Sequence, residues 1–179
     1  MQIDNLYIIS GGPGSGKSTL LKALALHGFP CMPEAGRAII QHQLSIGGTA
    51  LPWADRSLFA ELMLTWDLRS YNEALQLNTS VLFDRGIPDI MGYLRLCNLP
   101  VTAHIEKAAG TYRYHQRVFI APPWQEIFTA DEERKQSFEE AQATYKSLAA
   151  VYQELGYELL LLPLASVEER VKFVLENIH

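Results

Sequence analysis

The sequence predicts an α/β fold, a doubly wound parallel sheet covered by helices on both faces. Three observations predict it. Short apolar runs of strand length alternate with stretches of helical periodicity. Those runs are continuous rather than alternating, as expected of strands buried on both faces. A chain of 179 residues, 48% apolar and 20% charged, can also bury a sizeable core. Residues 1–179 are therefore expected to form a single domain.

The elements follow in order. Leu6–Ser10 is the first expected strand, and a helix starts at Lys17 and stops before Gly28, a suitable C-terminal cap. A weak strand, Cys31–Pro33, precedes a helix from about Gly36 to Leu44, and Leu44-Ser45-Ile46-Gly47-Gly48 reads as a flexible loop. Asp55 is the N-cap of a long helix in which Phe59, Met63, Trp66, Ser70, Ala74 and Leu77 recur at helical spacing. Strands are then expected at Val81–Asp84 and Val118–Ala121. Ser137-x-x-Glu140 is a capping box opening a helix that Gly156 ends, and Ser166-x-x-Glu169 opens the last one after a strand at Glu158–Leu162. In such a sheet, ligands bind beyond the carboxyl ends of the strands.

Composition excludes several classes. The net charge is −5 and the basic residues are scattered, so no nucleic-acid-binding face is expected. Cys31 and Cys97 form no C-x-x-C pair and read as reduced thiols of a cytoplasmic protein. The N-terminus has no basic, apolar signal pattern. Leu159–Leu162, which Pro163 ends, is far short of a membrane span, so no membrane partner is expected. A monomer or homodimer fits these features. His27, His42, His104 and His115 share no metal-ligand spacing, and Trp53, Trp66 and Trp124 read by default as core aromatics.

The strongest signal follows the first strand. Gly11-Gly12-Pro13-Gly14-Ser15-Gly16-Lys17-Ser18-Thr19 satisfies G-x-x-x-x-G-K-[ST] in full. A polyphosphate needs several N–H donors converging from one side, and Gly14 and Gly16 permit that backbone curl without obstructing it. Ser15 lies within the curl, and the helix opening at Lys17 adds free N–H groups and its positive dipole end. Lys17 can bridge the β- and γ-phosphates, and Ser18, followed by Thr19, can offer a hydroxyl to Mg²⁺. The expected ligands are ATP and Mg²⁺.

Four other positions carry two readings each. Asp84 ends an apolar strand, either to hold the Mg²⁺ shell or to cap a helix. Arg85 either faces the reacting phosphates or pairs with Asp89 on the surface. Glu34, in Pro33-Glu34-Ala35-Gly36-Arg37, either meets an acceptor hydroxyl across the crevice or supports a helix dipole, and Arg37 stands nearby. Arg134 and Lys135, after the capping box Thr129-x-x-Glu132, form either a cationic lid or a solvated helix paired with the acids at 131–133.

No N-K-x-D guanine-reading motif occurs, and Asp89-x-x-Gly92 matches a switch motif only by letter, so a GTPase is disfavoured. The loop Gly11–Lys17 resembles that of nucleoside monophosphate kinases. Asp84-Arg85 is similar to the acid-Arg pair of thymidylate and deoxynucleoside kinases, and Pro33–Arg37 to the Glu-x-x-Arg stretch of ribosylnicotinamide kinase-type domains. Taken whole, the chain resembles the bacterial P-loop proteins grouped with that kinase as predicted ATPase/kinases. The resemblance implies the three-layer P-loop NTPase fold with strand order 2-3-1-4-5, ATP as donor and Mg²⁺ as counterion. It further implies that Glu34 contacts the acceptor, Asp84 the metal shell and Arg85 the phosphates, with Arg134 on the lid. Gly86 departs from the pattern, because deoxynucleoside kinases carry Ser there and thymidylate kinases an aromatic. The expected activity is transfer of the γ-phosphoryl group to a small nucleoside-like or other hydroxyl- or phosphate-bearing acceptor. The alternatives are a plain ATPase and a nucleotide-sensing module without an acceptor.

Overall fold

The computed structural model describes residues 4–128 and 137–178. In chain order the elements are β1 (Leu6–Gly11), α1 (Lys17–Leu26), β2 (Cys31–Met32), α2 (Ala35–Ile46), α3 (Arg56–Ala74) and β3 (Val81–Asp84). There follow α4 (Ile87–Leu96), α5 (Ala103–Thr111), β4 (Arg117–Ala121), a 3₁₀ turn (Gln125–Ile127), α6 (Phe138–Glu154), β5 (Glu158–Leu161) and α7 (Val167–Asn177). Every pairing is parallel, and the sheet order is β2-β3-β1-β4-β5, the order that the resemblance implies.

The sheet's two faces follow from strand alternation. Tyr7 and Ile9 of β1 point with Leu82 and Phe119 into a layer closed by Leu20, Leu21 and Leu24 of α1 and Val171 and Val174 of α7. Leu6 and Ile8 point the other way, with Val81, Phe83 and Val118, onto Tyr71 and Ala74 of α3 and Tyr152 of α6. A further cluster, including Ala60, Leu64, Ile87, Ile90, Ile105 and Val151, joins α3, α4, α5 and α6 beyond the sheet. Asp55 caps α3 as expected, accepting from the Leu58 amide at 2.9 Å, and both serine capping boxes form at Ser137 and Ser166.

Three expectations need correction. Residues Leu44–Ile46 are not a loop: α2 continues through them, and Gly47 ends it in the left-handed conformation, φ +68°. The long helix α3 buries Phe59, Ser70 and Ala74 as expected, but also Ala60 and Leu64, which pack against α4, α5 and α6, and Tyr71, which packs against the sheet. Helices α4 and α5 were not anticipated. In α4, Ile87, Pro88, Asp89, Ile90, Met91, Gly92 and Leu94 are all buried, so no polar face marks a period. Gly92 lies where a Cβ would stand 2.6 Å from Leu148 Cδ2, so it marks close packing against α6 rather than a turn. Among the described residues, no helix is long and apolar enough to cross a membrane.

Candidate active site

The parallel order brings four segments to the carboxyl edge of the sheet. The loop between β1 and α1 adopts the curl its glycines permit, with φ +67° at Gly14 and +81° at Gly16. Ser15 Oγ donates to the Gly12 carbonyl at 2.8 Å, and Lys17 Nζ donates to the same oxygen at 3.0 Å. At the start of α1, Gly16 supplies no side-chain cap and the first turn holds no acid. Its leading N–H groups are therefore available to an anion. Lys17 is buried, and burial with Arg85 nearby lowers its pKa from 10.5 to about 8.

Register places the next group. Ile9 of β1 pairs with Asp84 of β3, and the Arg85 amide donates to the Ile9 carbonyl at 3.1 Å. Asp84 is therefore the terminal strand residue beside the loop, and it does not cap α4, whose N-cap is Gly86. Its Oδ1 is buried without a hydrogen-bond partner. Burial raises the pKa of Asp84 against the opposing pull of Lys17. A buried carboxylate oxygen lacking a partner, at the end of the strand beside the phosphate loop, fits a hard divalent cation that also holds phosphate oxygens and water. Among the described residues no group of three or more His, Cys, Asp or Glu could hold a metal ion.

Arg85 does pair with Asp89, but in a largely buried position rather than on the surface. Its Nη1 lies 3.4 Å from Asp89 Oδ1 and its Nε 3.6 Å from Glu34 Oε1, and the side chain is largely buried. Burial works against its charge, but Glu34, Asp89 and Asp84 outweigh it and raise the pKa. Its φ of +70° is left-handed in a residue with a Cβ, a strain of roughly 1–3 kcal/mol that the surrounding contacts must hold. Glu34 occupies the N-cap position of α2 yet makes no capping hydrogen bond; its carboxylate turns instead to Arg85.

Two cavities flank the loop. One, of about 500 Å³, takes Pro13 from the loop and is lined by Glu34, Arg85, Asp89 and Asp67 among Trp53, Phe59, Met63 and Tyr93. The other, of about 710 Å³, takes Gly14 to Thr19 and is lined by Arg37, Trp124, Ile127, Ala165, Ser166, Val167 and Arg170. Trp53, 53% exposed, and Trp124 thus line pockets, whereas Trp66 packs against the α2–α3 core as expected. Arg134 and Lys135, with Thr129 and Glu132, lie outside the described residues.

Sequence reasoning missed Asp67 and Arg170, and met Asp89 only as a surface partner for Arg85 and in a switch motif matched by letter. Asp89 is buried, accepting from Ser10 Oγ at 2.5 Å, from the Gly86 amide at 2.9 Å and from the Tyr152 hydroxyl. Only its position three residues after Gly86 carried a local signal, that of an acid closing back on a helix start. Burial, then Asp89 and Glu34, holds the Asp67 carboxyl well above its usual range.

A family model described as an AAA domain matches residues 6–170, from the first strand into α7, and so encloses both cavities. The chain belongs to this AAA domain family. No curated protein sequence matches this AAA domain protein. Among solved structures, deoxyadenosine kinase from M. mycoides with bound dATP is similar at 15% identity and TM-score 0.61, over 96% of this chain and 98% of that one. A NadR protein in complex with NR is similar at 16% identity and TM-score 0.71, over 98% of this chain and 51% of that one. Thymidylate kinase from Ehrlichia chaffeensis is similar at 14% identity and TM-score 0.64, over 98% and 100%. At these identities the likeness establishes a shared P-loop kinase fold.

Proposed function

We propose that this AAA domain protein, its 179 residues acting as one domain in the cytoplasm, is an ATP-dependent phosphotransferase acting on a small hydroxyl-bearing acceptor. The observation that carries the reading is the pair of cavities that share one phosphate loop, Arg85 lining the smaller and Lys17 the larger. Its structural neighbours, kinases of deoxyadenosine and thymidylate among them, support it.

In this mechanism the amides of Gly12–Thr19 and the N-terminus of α1 hold the ATP phosphates, and Lys17 leaves the Gly12 carbonyl to bridge the β- and γ-phosphates. Ser18 and Asp84 would hold Mg²⁺, which when bound neutralises phosphate charge. The acceptor lies in the smaller cavity, its hydroxyl against Glu34. That oxygen attacks the γ-phosphorus in line, its proton passes to Glu34, and the bond to the β–γ bridging oxygen breaks to release ADP. Arg85, held by Glu34 and Asp89, faces the charge that develops.

Charge selects the hydroxyl over a phosphate as acceptor. The smaller cavity is lined by Glu34, Asp89 and Glu140, with Asp67 pushed toward its neutral form, against two arginines, of which Arg85 is already ion-paired and Arg56 donates to the Pro52 carbonyl at 2.9 Å. A phosphomonoester would meet excess negative charge there. ADP release should be measured across nucleosides, their 5′-monophosphates and other small alcohols, with a no-acceptor control. Turnover by an alcohol well above the control is the expected result. Equal rates in every tube would leave a plain ATPase, and a preference for the monophosphates would overturn the acceptor assignment.

A further inference from the structure

We propose that Arg170, on α7, is a positioning residue of the nucleotide site that holds the phosphate loop in its binding curl from behind. The inference rests on the reading of the loop as a polyphosphate cradle.

Arg170 is 2% exposed and lies 155 residues from the loop it touches. Its Nη1 donates to the Ser15 carbonyl at 2.7 Å, and its Nε donates to the Pro163 carbonyl at 2.8 Å. One guanidinium thus ties the phosphate loop to the segment entering α7, and both segments line the larger cavity. Trp124 covers it, with the guanidinium carbon 4.9 Å from the ring centre. Gly16 permits the approach: a Cβ there would stand 3.0 Å from Nη1. Among the described residues no carboxylate pairs with Arg170, and Nη2 is buried without a hydrogen-bond partner.

The physical role follows from the loop's composition. A segment with glycine at 11, 12, 14 and 16 has many accessible conformations, and fixing one of them costs conformational entropy. An anion-binding nest also requires its carbonyls to point away from the anion. Arg170 meets both needs, because a charge-assisted donor outside the curl fixes the Ser15 carbonyl outward before any ligand arrives. The planar fork can serve two carbonyls at once, which a lysine ammonium on its flexible stem cannot do in the same geometry. A buried cation without a counter-charge also adds positive potential behind the loop.

The test compares the full-length chain with Arg170→Met and Arg170→Lys. Affinities for ATP and for inorganic tripolyphosphate are measured by calorimetry, together with hydrogen exchange of the loop amides in the absence of ligand. Arg170→Met should weaken both ligands on the order of tenfold to a hundredfold, the loss of one charged hydrogen bond. Arg170→Lys, which keeps the charge, should fall between Met and the native chain. The KM for ATP should rise while kcat at saturation holds. Loop amides should exchange faster in both variants, with no matching change across the rest of the sheet. Unchanged affinity and exchange would overturn the proposal, and so would a loss confined to ATP with tripolyphosphate unaffected, since Arg170 would then read the base. Should Arg170→Met fail to fold, Arg170→Lys carries the comparison. A native chain that binds neither ligand sinks the nucleotide reading instead, while the exchange measurement still decides whether Arg170 orders the loop.

Discussion

Lys17 makes nucleotide binding depend on pH in a direction that its surroundings fix. Burial lowers its pKa from 10.5 to about 8, whereas a bound polyphosphate favours the charged ammonium. ATP should therefore bind with proton uptake from about pH 8 to 10.5, and its affinity should fall as pH rises through that window. Calorimetry in buffers of different ionisation enthalpy reads this directly, and binding at pH 9 without proton uptake would contradict it. The linked stability effect has the opposite sense. The unfolded chain holds more protons on Lys17 in that window, so the free protein gains stability there as pH rises. Lys17→Ala should abolish ATP binding and turnover, and undiminished affinity would refute the loop's assignment. Asp89 is a different kind of residue, since it acts through Arg85 and binds no ligand in the mechanism. Asp89→Asn keeps the size but removes the charge, so kcat should fall with little change in the KM for ATP. Tyr152→Phe should cost about 1–3 kcal/mol in a denaturant melt, because a buried carboxylate oxygen loses a donor.

The phosphate loop lies close against α6 at Gly12. A Cβ at Gly12 would stand 2.5 Å from the Ala141 carbonyl, so Gly12→Ala must push the loop off α6. ATP affinity should drop at least as much as stability, which overpacking lowers by roughly 1–3 kcal/mol. A variant with native affinity would show that the loop's place against α6 is immaterial. This contact also shows where sequence reading stops. The strands other than the weak β2 were legible because each is a compact apolar run, and α1, α3, α6 and α7 because caps or period mark them. The loop was legible because one continuous segment carries its whole chemistry. Helix α4 was not, because burial on nearly every side erases periodicity. Asp67, Asp89 and Arg170 were not, because their roles come from partners on other elements: Ser10 and Tyr152 for Asp89, Ser15 and Pro163 for Arg170. Glu34 and Arg85 stood between. Their residue types were suggestive, and only the sheet order, setting β3 beside both β1 and β2, decided that they meet.

At the scale of the molecule, one topological fact unites the site. Strand β1 sits at the centre of the sheet, so the loop that follows it has β3 and its Asp84-Arg85 on one side and β4 with Trp124 beyond it on the other. Pro13 of that loop lines the smaller cavity and Gly14 to Thr19 line the larger, which the proposed mechanism gives to acceptor and donor respectively. A ligand spanning both would join two binding events through a linker whose length the site itself sets. Joining the best acceptor from the turnover panel to adenosine through a polyphosphate should therefore give a ligand competitive with both substrates. Its affinity should exceed that of ATP by about 10²–10⁴-fold, the gain expected when a second site is engaged intramolecularly. Phosphate count supplies the internal control, since a chain too short to reach from the cradle to Glu34 must lose the advantage while keeping both end groups. Competition with ATP alone, at every linker length, would mean that the smaller cavity lies outside the path of phosphoryl transfer.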